Sequence, residues 1–381
     1  MKENKNLSVE NKIYLDEDNK EKGYIEIPGL SSLSRTVKQS MVTVSDPEIR
    51  YLVDCYYQTQ KLRKSVDNQI RAINQGVDGD GNEPPLSLLW LSSNVRNQEN
   101  NLFKLMDEFT KREDKPVCRW LRDIVGIGPV LAAGLYTYFD ISKCSYAGQF
   151  WSYAGLNDNN TPWLGKEKAT SLVKEAYNKY GLKSKDDPTD EVLSYVMDKA
   201  NRSAQSLLNG ATIKDENNKN YGKITKDSLI KYLSKIPYNK ELKVLCWKVG
   251  DSIMKVCNKP KSLYGKIYKE RNLMETAKNE SGGYAEEAAM YLSLKNYDKT
   301  KEAYKAYSKG KLPKCQITAR AKRYATKLLI SHLFEMMYME YYKKPVPVPY
   351  VIADPKQPNH TVYIGPEVPY SNYITDYGID K

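Results

Sequence analysis

The chain has 381 residues, of which 28% are charged and 40% hydrophobic, and its formal net charge is +12. This length can bury a substantial core in two or three domains. The longest apolar run, residues 124–136, is too short and too interrupted by glycine and proline to cross a bilayer. The positive charge favours a polyanionic partner.

The first part of the chain predicts an arm followed by two paired helices. Residues 1–44 predict a disordered or extended arm, because residues 1–23 mix five lysines and six acids without an apolar pattern. Residues 45–115 predict a coiled-coil-like helical hairpin, formed within one chain or as a dimer seam, and the short seam favours the first. The predicted seam, with Gln98 as its polar position, is Leu88, Leu91, Val95, Gln98, Leu102, Leu105 and Phe109.

Residues 116–165 predict two helices joined by a tight turn at Gly126-Ile127-Gly128-Pro129. Glycine permits the reversal, and Pro129 fits the first turn of the second helix. Backbone N–H groups from Gly126 to Val130 would then point outward at the positive end of the helix dipole, which suits a phosphate. The alternative is a tight turn with no ligand. The predicted nucleic-acid ligands here are Arg119, Arg122, Gly126, Ile127, Gly128, Val130 and Lys143.

Residues 166–311 predict a large helical insertion, and residues 312–342 predict a closing basic helix. Between Asn296 and Lys327 there are ten basic residues and two acids. This balance predicts a phosphate-binding face; a solvated lysine-rich face or a membrane-surface helix are the alternatives. Residues 343–381 predict an extended, proline-rich tail with one short strand at Thr361–Ile364. The predicted ligands on the closing helix are Arg320, Lys322, Arg323 and Lys327.

Two blocks of the chain resemble a known family. The turn, followed by Phe139-Asp140-Ile141-Ser142 and Tyr153-Ala154-Gly155-Leu156, is similar to the C-terminal domain of insertion-sequence transposases of the IS one-ten, one-sixteen and nine-oh-two type. The stretch Arg320-Ala321-Lys322-Arg323-Tyr324 resembles that family's closing basic helix. The resemblance covers residues 117–165 and 312–340. It implies a helix-hairpin-helix fold, DNA binding, and a part in the transposition and recombination of a mobile element.

Two departures from that family bear on catalysis. Its transposases begin with an RNase-H-like domain whose acids bind divalent metal, and the residues before Ser45 leave too little room for such a domain. The chain therefore resembles a long stand-alone branch of the family. The family's serine nucleophile follows Tyr-Ala-Gly-Leu, whereas Thr161 is the only hydroxyl residue in 157–165. We assign no catalytic residue from the sequence.

The remaining candidate groups predict structural roles. His332 lies in an apolar run, which indicates a core residue. The sequence around Asp140 indicates a helix cap; alternatively, Asp140 could meet Asp158 in space. No metal-ligand spacing or cofactor motif is present, so we expect no metal and no cofactor. Six cysteines without a C-x-x-C pair predict reduced, mostly buried thiols in a cytoplasmic protein.

The sequence thus predicts a mostly α protein, a helical hairpin followed by a helix-hairpin-helix domain with an inserted helical segment and an extended arm. The leading hypothesis is a protein that grips the nucleic-acid backbone, with double-stranded DNA favoured and RNA as the alternative. A second hypothesis is an active recombinase completed by RNA or by a partner that supplies a nuclease domain. A third is a protein-interaction module. A homodimer is also left open.

Overall fold

The computed structural model describes residues 33–76, 81–157, 163–200, 204–205, 224–294, 296–348 and 363–374, and the backbone of 11–13 and 25–27. The fold is mostly α, as predicted. Two short strands, β1 (Asn11–Ile13) and β2 (Ile25–Ile27), pair antiparallel with Asn11 opposite Ile27. The α-helices are α1 (Arg35–Gln39), α2 (Asp46–Gln75), α3 (Leu86–Thr110), α4 (Pro116–Asp123), α5 (Pro129–Tyr138), α6 (Ala147–Tyr153), α7 (Lys166–Lys179), α8 (Asp190–Asp198), α9 (Lys226–Ser234), α10 (Lys240–Lys255), α11 (Leu263–Glu280), α12 (Ala285–Leu294), α13 (Glu302–Tyr307) and α14 (Lys314–Tyr342).

Helices α2 and α3 form the predicted hairpin within one chain. Helix α2 begins where the Glu48 carboxylate accepts the N–H of Ser45 at 2.8 Å, and it ends at Gly76, whose φ is 62°. The predicted polar seam position is wrong by one residue, because Gln98 is exposed and Glu99 is buried. Glu99 faces Arg63 of α2 in an ion pair, and this partner makes a buried carboxylate tolerable in the seam.

The long helix α14 lies in the centre of the largest hydrophobic core. It packs against α4, α6, α10 and α11, and the core includes fully buried Trp120, Phe150 and Tyr264. Helices α10 and α11 fall inside the predicted insertion of residues 166–311, yet they belong to this central core. The predicted boundaries of the insertion are therefore too wide, since apolar faces of α10 and α11 are buried against α14 rather than against each other alone.

Helices α7, α8 and α9 have a separate small core. Its fully buried members are Ala169, Val173, Ala176, Val192, Val196, Leu229 and Leu233. The two ends of this unit meet, because the indole N–H of Trp163 donates to the carbonyl oxygen of Ser234 at 2.8 Å. We call residues 164–233 the lateral unit.

Both chain ends differ from the predicted extended arms. The first 44 residues include β1, β2 and α1, so the predicted arm carries regular structure in the described part. At the other end, residues 363–374 are packed on the central core, with Ile374 only 5% exposed. The strand predicted at Thr361–Ile364 is absent at Tyr363 and Ile364, whose backbone is irregular; its first two residues lie outside the described part of the chain.

Candidate nucleic-acid interface

The turn between α4 and α5 contains two glycines in different situations. Gly126 has a φ of +97°, and a Cβ there would lie 3.0 Å from the Cγ2 atom of Val256. Only glycine avoids both the backbone strain and the crowding. Gly128 is exposed with a φ of −86°, and a Cβ there would meet no atom within 4 Å. Gly126 therefore shapes the turn, while Gly128 leaves open the space before α5.

Backbone groups of the turn are partly occupied. The Val125 N–H donates to the Glu367 carboxylate at 2.6 Å, and the Ile127 N–H donates to the Ile124 carbonyl at 3.0 Å. Helix α5 begins at Gly128 without a side-chain cap. Ile127 and Val130 are 4% and 7% exposed, so these two predicted ligands offer backbone groups rather than side chains. The start of α5 is the open part of the predicted phosphate site.

The predicted cations around the turn differ in how strongly they are engaged. Arg122 is held by Asp107 at 2.5 Å and by the Thr110 hydroxyl at 3.1 Å, which makes it a structural residue. Arg119 is exposed, with its guanidinium carbon 5.8 Å from the centre of the Tyr373 ring.

Lys143 is also exposed, and its ammonium lies 2.7 Å from Asp140. Asp140 accepts the Ser142 N–H at 3.1 Å and caps a 3-10 turn, Ile141–Lys143, as the sequence predicted. Hydrogen bonds from Lys143 and Ser142 lower the pKa of Asp140. Lys143 is thus an exposed cation with its charge partly compensated; Asp158, the other acid considered, lies outside the described residues.

Two of the four cations of the predicted basic face of α14 are paired with acids. Arg320 pairs with Glu287 of α12, and Lys322 pairs with Asp251 of α10. Burial lowers the pKa of Arg320, but the Glu287 carboxylate outweighs it and raises the pKa. Lys327 lies 5.2 Å from the Trp151 ring centre, and Arg323 is half-buried with contacts of its own. The acids that pair with this face lie on two other helices, α12 and α10. The face therefore carries less net charge than its own sequence predicted.

A second basic group lies directly beside the turn. The Ser252 hydroxyl donates to the Gly126 carbonyl, Val256 packs against Gly126, and the Leu263 N–H shares the Glu367 carboxylate with Val125. Residues 252–269, which make these contacts, contain five lysines and no acid. We call these residues the lysine cluster, and all five are exposed: Lys255, Lys259, Lys261, Lys266 and Lys269.

The ion pairs of the described residues do not involve the five lysines of the cluster. The lysines that form ion pairs among the described residues are elsewhere, at Lys111, Lys115, Lys143, Lys199, Lys311 and Lys322. Lys269 has a 3.4 Å hydrogen bond to Asn258, a neutral partner. The acid-free run was visible in the sequence, but its position beside a turn more than a hundred residues earlier was not.

Groups with catalytic chemistry do not gather at this surface. His332 is a core residue as predicted, 1% exposed, with Nδ1 2.8 Å from the Tyr264 hydroxyl and Nε2 2.8 Å from the Ile364 carbonyl. Burial lowers its pKa to about 4. The described residues contain no group of three or more His, Cys, Asp or Glu that could hold a metal, and Thr161 lies outside them.

Two further predictions concern the environment of the chain. None of the six cysteines is paired, but only Cys118 and Cys246 are buried and Cys315 is exposed, so the prediction of mostly buried thiols is wrong. Within the described residues, no helix combines the length and apolar character needed to span a bilayer.

No protein-family model, no curated protein and no solved structure matches the chain. The resemblance to insertion-sequence transposases therefore stays a prediction from the sequence.

Proposed function

We propose that this protein binds the phosphate backbone of nucleic acid through the turn at residues 124–128 and the lysine cluster. The observation that carries the proposal is that residues 252–269, which contain five exposed lysines and no acid, contact the turn through Ser252 and Val256. Clustered cations without acidic neighbours attract a polyanion, whereas dispersed lysines paired with acids do not.

The open start of α5 supports the same proposal. Pro129 has no N–H, and α5 has no side-chain cap. The first N–H groups of α5 therefore lie at the positive end of the helix dipole without a side-chain acceptor. A phosphate oxygen is a suitable acceptor at such a position. Arg119 in α4 and Lys143 after α5 add exposed positive charge.

The proposed interface reads charge and backbone shape rather than bases. Double-stranded DNA is the favoured ligand because the resemblance to transposases implies it, and RNA is the alternative. We propose a cytoplasmic location, which the six unpaired thiols support. The recombinase and protein-interaction hypotheses stay predictions from the sequence.

The test is the salt dependence of binding, measured by fluorescence anisotropy with a short labelled duplex of mixed sequence. If the five lysines neutralise five phosphates, affinity falls about 500-fold between about 50 and about 200 mM salt. Affinity that hardly changes over this range would contradict the proposal. The same titration with RNA of matching sequence decides between the two nucleic acids.

A matched pair of variants locates the interface. Replacing Lys255, Lys259 and Lys261 with alanine should weaken binding and reduce the slope of log affinity against log salt by about 2.7, which is three phosphate contacts. The control variant replaces three exposed lysines of the lateral unit, Lys168→Ala, Lys174→Ala and Lys185→Ala, and has the same net charge. Equal effects of the two triple variants would show that only total charge matters and would remove the lysine cluster from the interface.

A further inference from the structure

Residues 363–374, which we call the strap, lie across the helix that precedes the turn. The Trp120 indole N–H donates to the Val368 carbonyl at 2.8 Å, and the Tyr370 and Trp120 ring centres are 5.6 Å apart. The Tyr373 hydroxyl donates to the Asp123 carboxylate. The strap is also held on α14, where Tyr363 and Tyr370 donate to Glu335 at 2.6 and 2.8 Å.

The strap places an anion on the turn itself. One Glu367 oxygen accepts the Val125 N–H at 2.6 Å, and the other accepts the Leu263 N–H, at the start of α11, at 2.7 Å. Burial raises the pKa of Glu367, and the backbone N–H groups of Val125, Leu263 and Tyr264 act in the opposite direction. The carboxylate therefore occupies a position where backbone donors from two segments converge, and those segments are the turn and the lysine cluster.

The strap also lies beside the predicted Arg119, which stays exposed. Tyr373 lies 5.8 Å from the Arg119 guanidinium carbon while its hydroxyl bonds to Asp123, so one strap residue engages two neighbouring positions of α4. A nucleic-acid backbone that approached the turn from this side would meet the ring of Tyr373 and the negative charge of Glu367. Like charges at hydrogen-bonding distance from the same donors exclude each other.

We propose that the strap is an intramolecular competitor of nucleic acid, in which Glu367 holds the place of a phosphate on the turn and Tyr373 lies beside Arg119. The inference rests on the proposed function. Binding of a nucleic-acid backbone then exchanges the Glu367 carboxylate for a phosphate and releases the strap from α4. If the strap only stabilises the fold, substitutions that loosen it should leave the affinity for nucleic acid unchanged or lower it.

The experiment compares the affinity of full-length variants for the same labelled duplex at low salt. Glu367→Gln removes the competing charge, and Tyr373→Phe removes the hydrogen bond to Asp123 without any change in net charge. Glu286→Gln, at an exposed position of α12, is the control for the added positive charge. We expect Glu367→Gln to bind about tenfold more tightly than the control, and Tyr373→Phe to bind more tightly than the wild type, as is usual for coupled sites.

The outcomes separate this inference from the proposed function. Wild-type binding with no gain in either strap variant overturns the competitor and leaves the interface in place. Tighter binding by Tyr373→Phe supports the competitor even if Glu367→Gln fails to fold, which the emission of buried Trp120 would reveal. If neither the wild type nor any strap variant binds the duplex, both proposals are wrong.

Discussion

Substitution by alanine should destabilise the protein at one glycine of the turn and leave its stability unchanged at the other. Gly126→Ala forces an L-residue into a φ of +97° and brings a methyl group to 3.0 Å from Val256. The backbone conformation costs about 1–2 kcal/mol, and the crowding costs about 1–2 kcal/mol more, so the free energy of unfolding falls by about 2–4 kcal/mol. Gly128→Ala has an ordinary φ of −86° and open space around the methyl group. For Gly128→Ala the free energy of unfolding should change by less than about 0.5 kcal/mol. The lower chain entropy of the unfolded state is offset by the poorer N-cap of α5.

Urea unfolding followed by tryptophan fluorescence measures this difference. Trp120 of α4 is fully buried, whereas Trp90, Trp163 and Trp247 are exposed, so the change in emission on unfolding reports mainly on the core beside the turn. We expect a clearly lower urea midpoint for Gly126→Ala and an unchanged midpoint for Gly128→Ala. Coincident midpoints for the two variants would refute the assignment of the shaping role to Gly126 alone.

Three other predictions follow from the same structure. Gly128→Asp should stabilise α5 by about 0.5–1 kcal/mol as an N-cap while weakening duplex binding, and tighter binding would contradict a phosphate position there. Burial of Glu99 opposes its ionisation, but hydrogen bonds led by Arg63 lower its pKa, so its stabilisation is present above about pH 4.5 and is lost in acid. Glu99→Gln should therefore lower stability at neutral pH by about 2 kcal/mol and flatten the acid limb of a pH series of urea midpoints; a parallel limb would refute this. His332, whose pKa falls from 6.5 to about 4 on burial, makes the fold less stable as the pH falls through that range, by about 3 kcal/mol. His332→Gln should remove that dependence, and an unaltered pH profile would contradict it.

Local features of the fold were predictable from the sequence. Helices α7 to α13 fall within residues 166–311, which the sequence predicted to be helical, because capping depends on neighbours in the chain. The turn between α4 and α5 was located correctly because a glycine with a positive φ and a proline at a helix start are local signals.

Features that depend on distant partners were not predictable. Arg63 and Glu99 lie on two different helices, and only the packing of α2 against α3 brings them together in an ion pair. The charge of Arg320 and Lys322 was counted without Glu287 and Asp251, because those acids come from other helices. Periodicity in one sequence specifies which face of a helix is apolar, but not which charged residue of another helix meets it.

The contact between Trp163 and Ser234 has a practical consequence for the architecture. Since the lateral unit starts and ends at one point and fills its own core, the chain could be joined across that point by a few residues without opening the central core. Closing so short a gap costs little chain entropy, and insertions with adjacent ends are the kind that proteins gain and lose as whole pieces. Removal of residues 164–233 would therefore leave every buried residue of the central core in place.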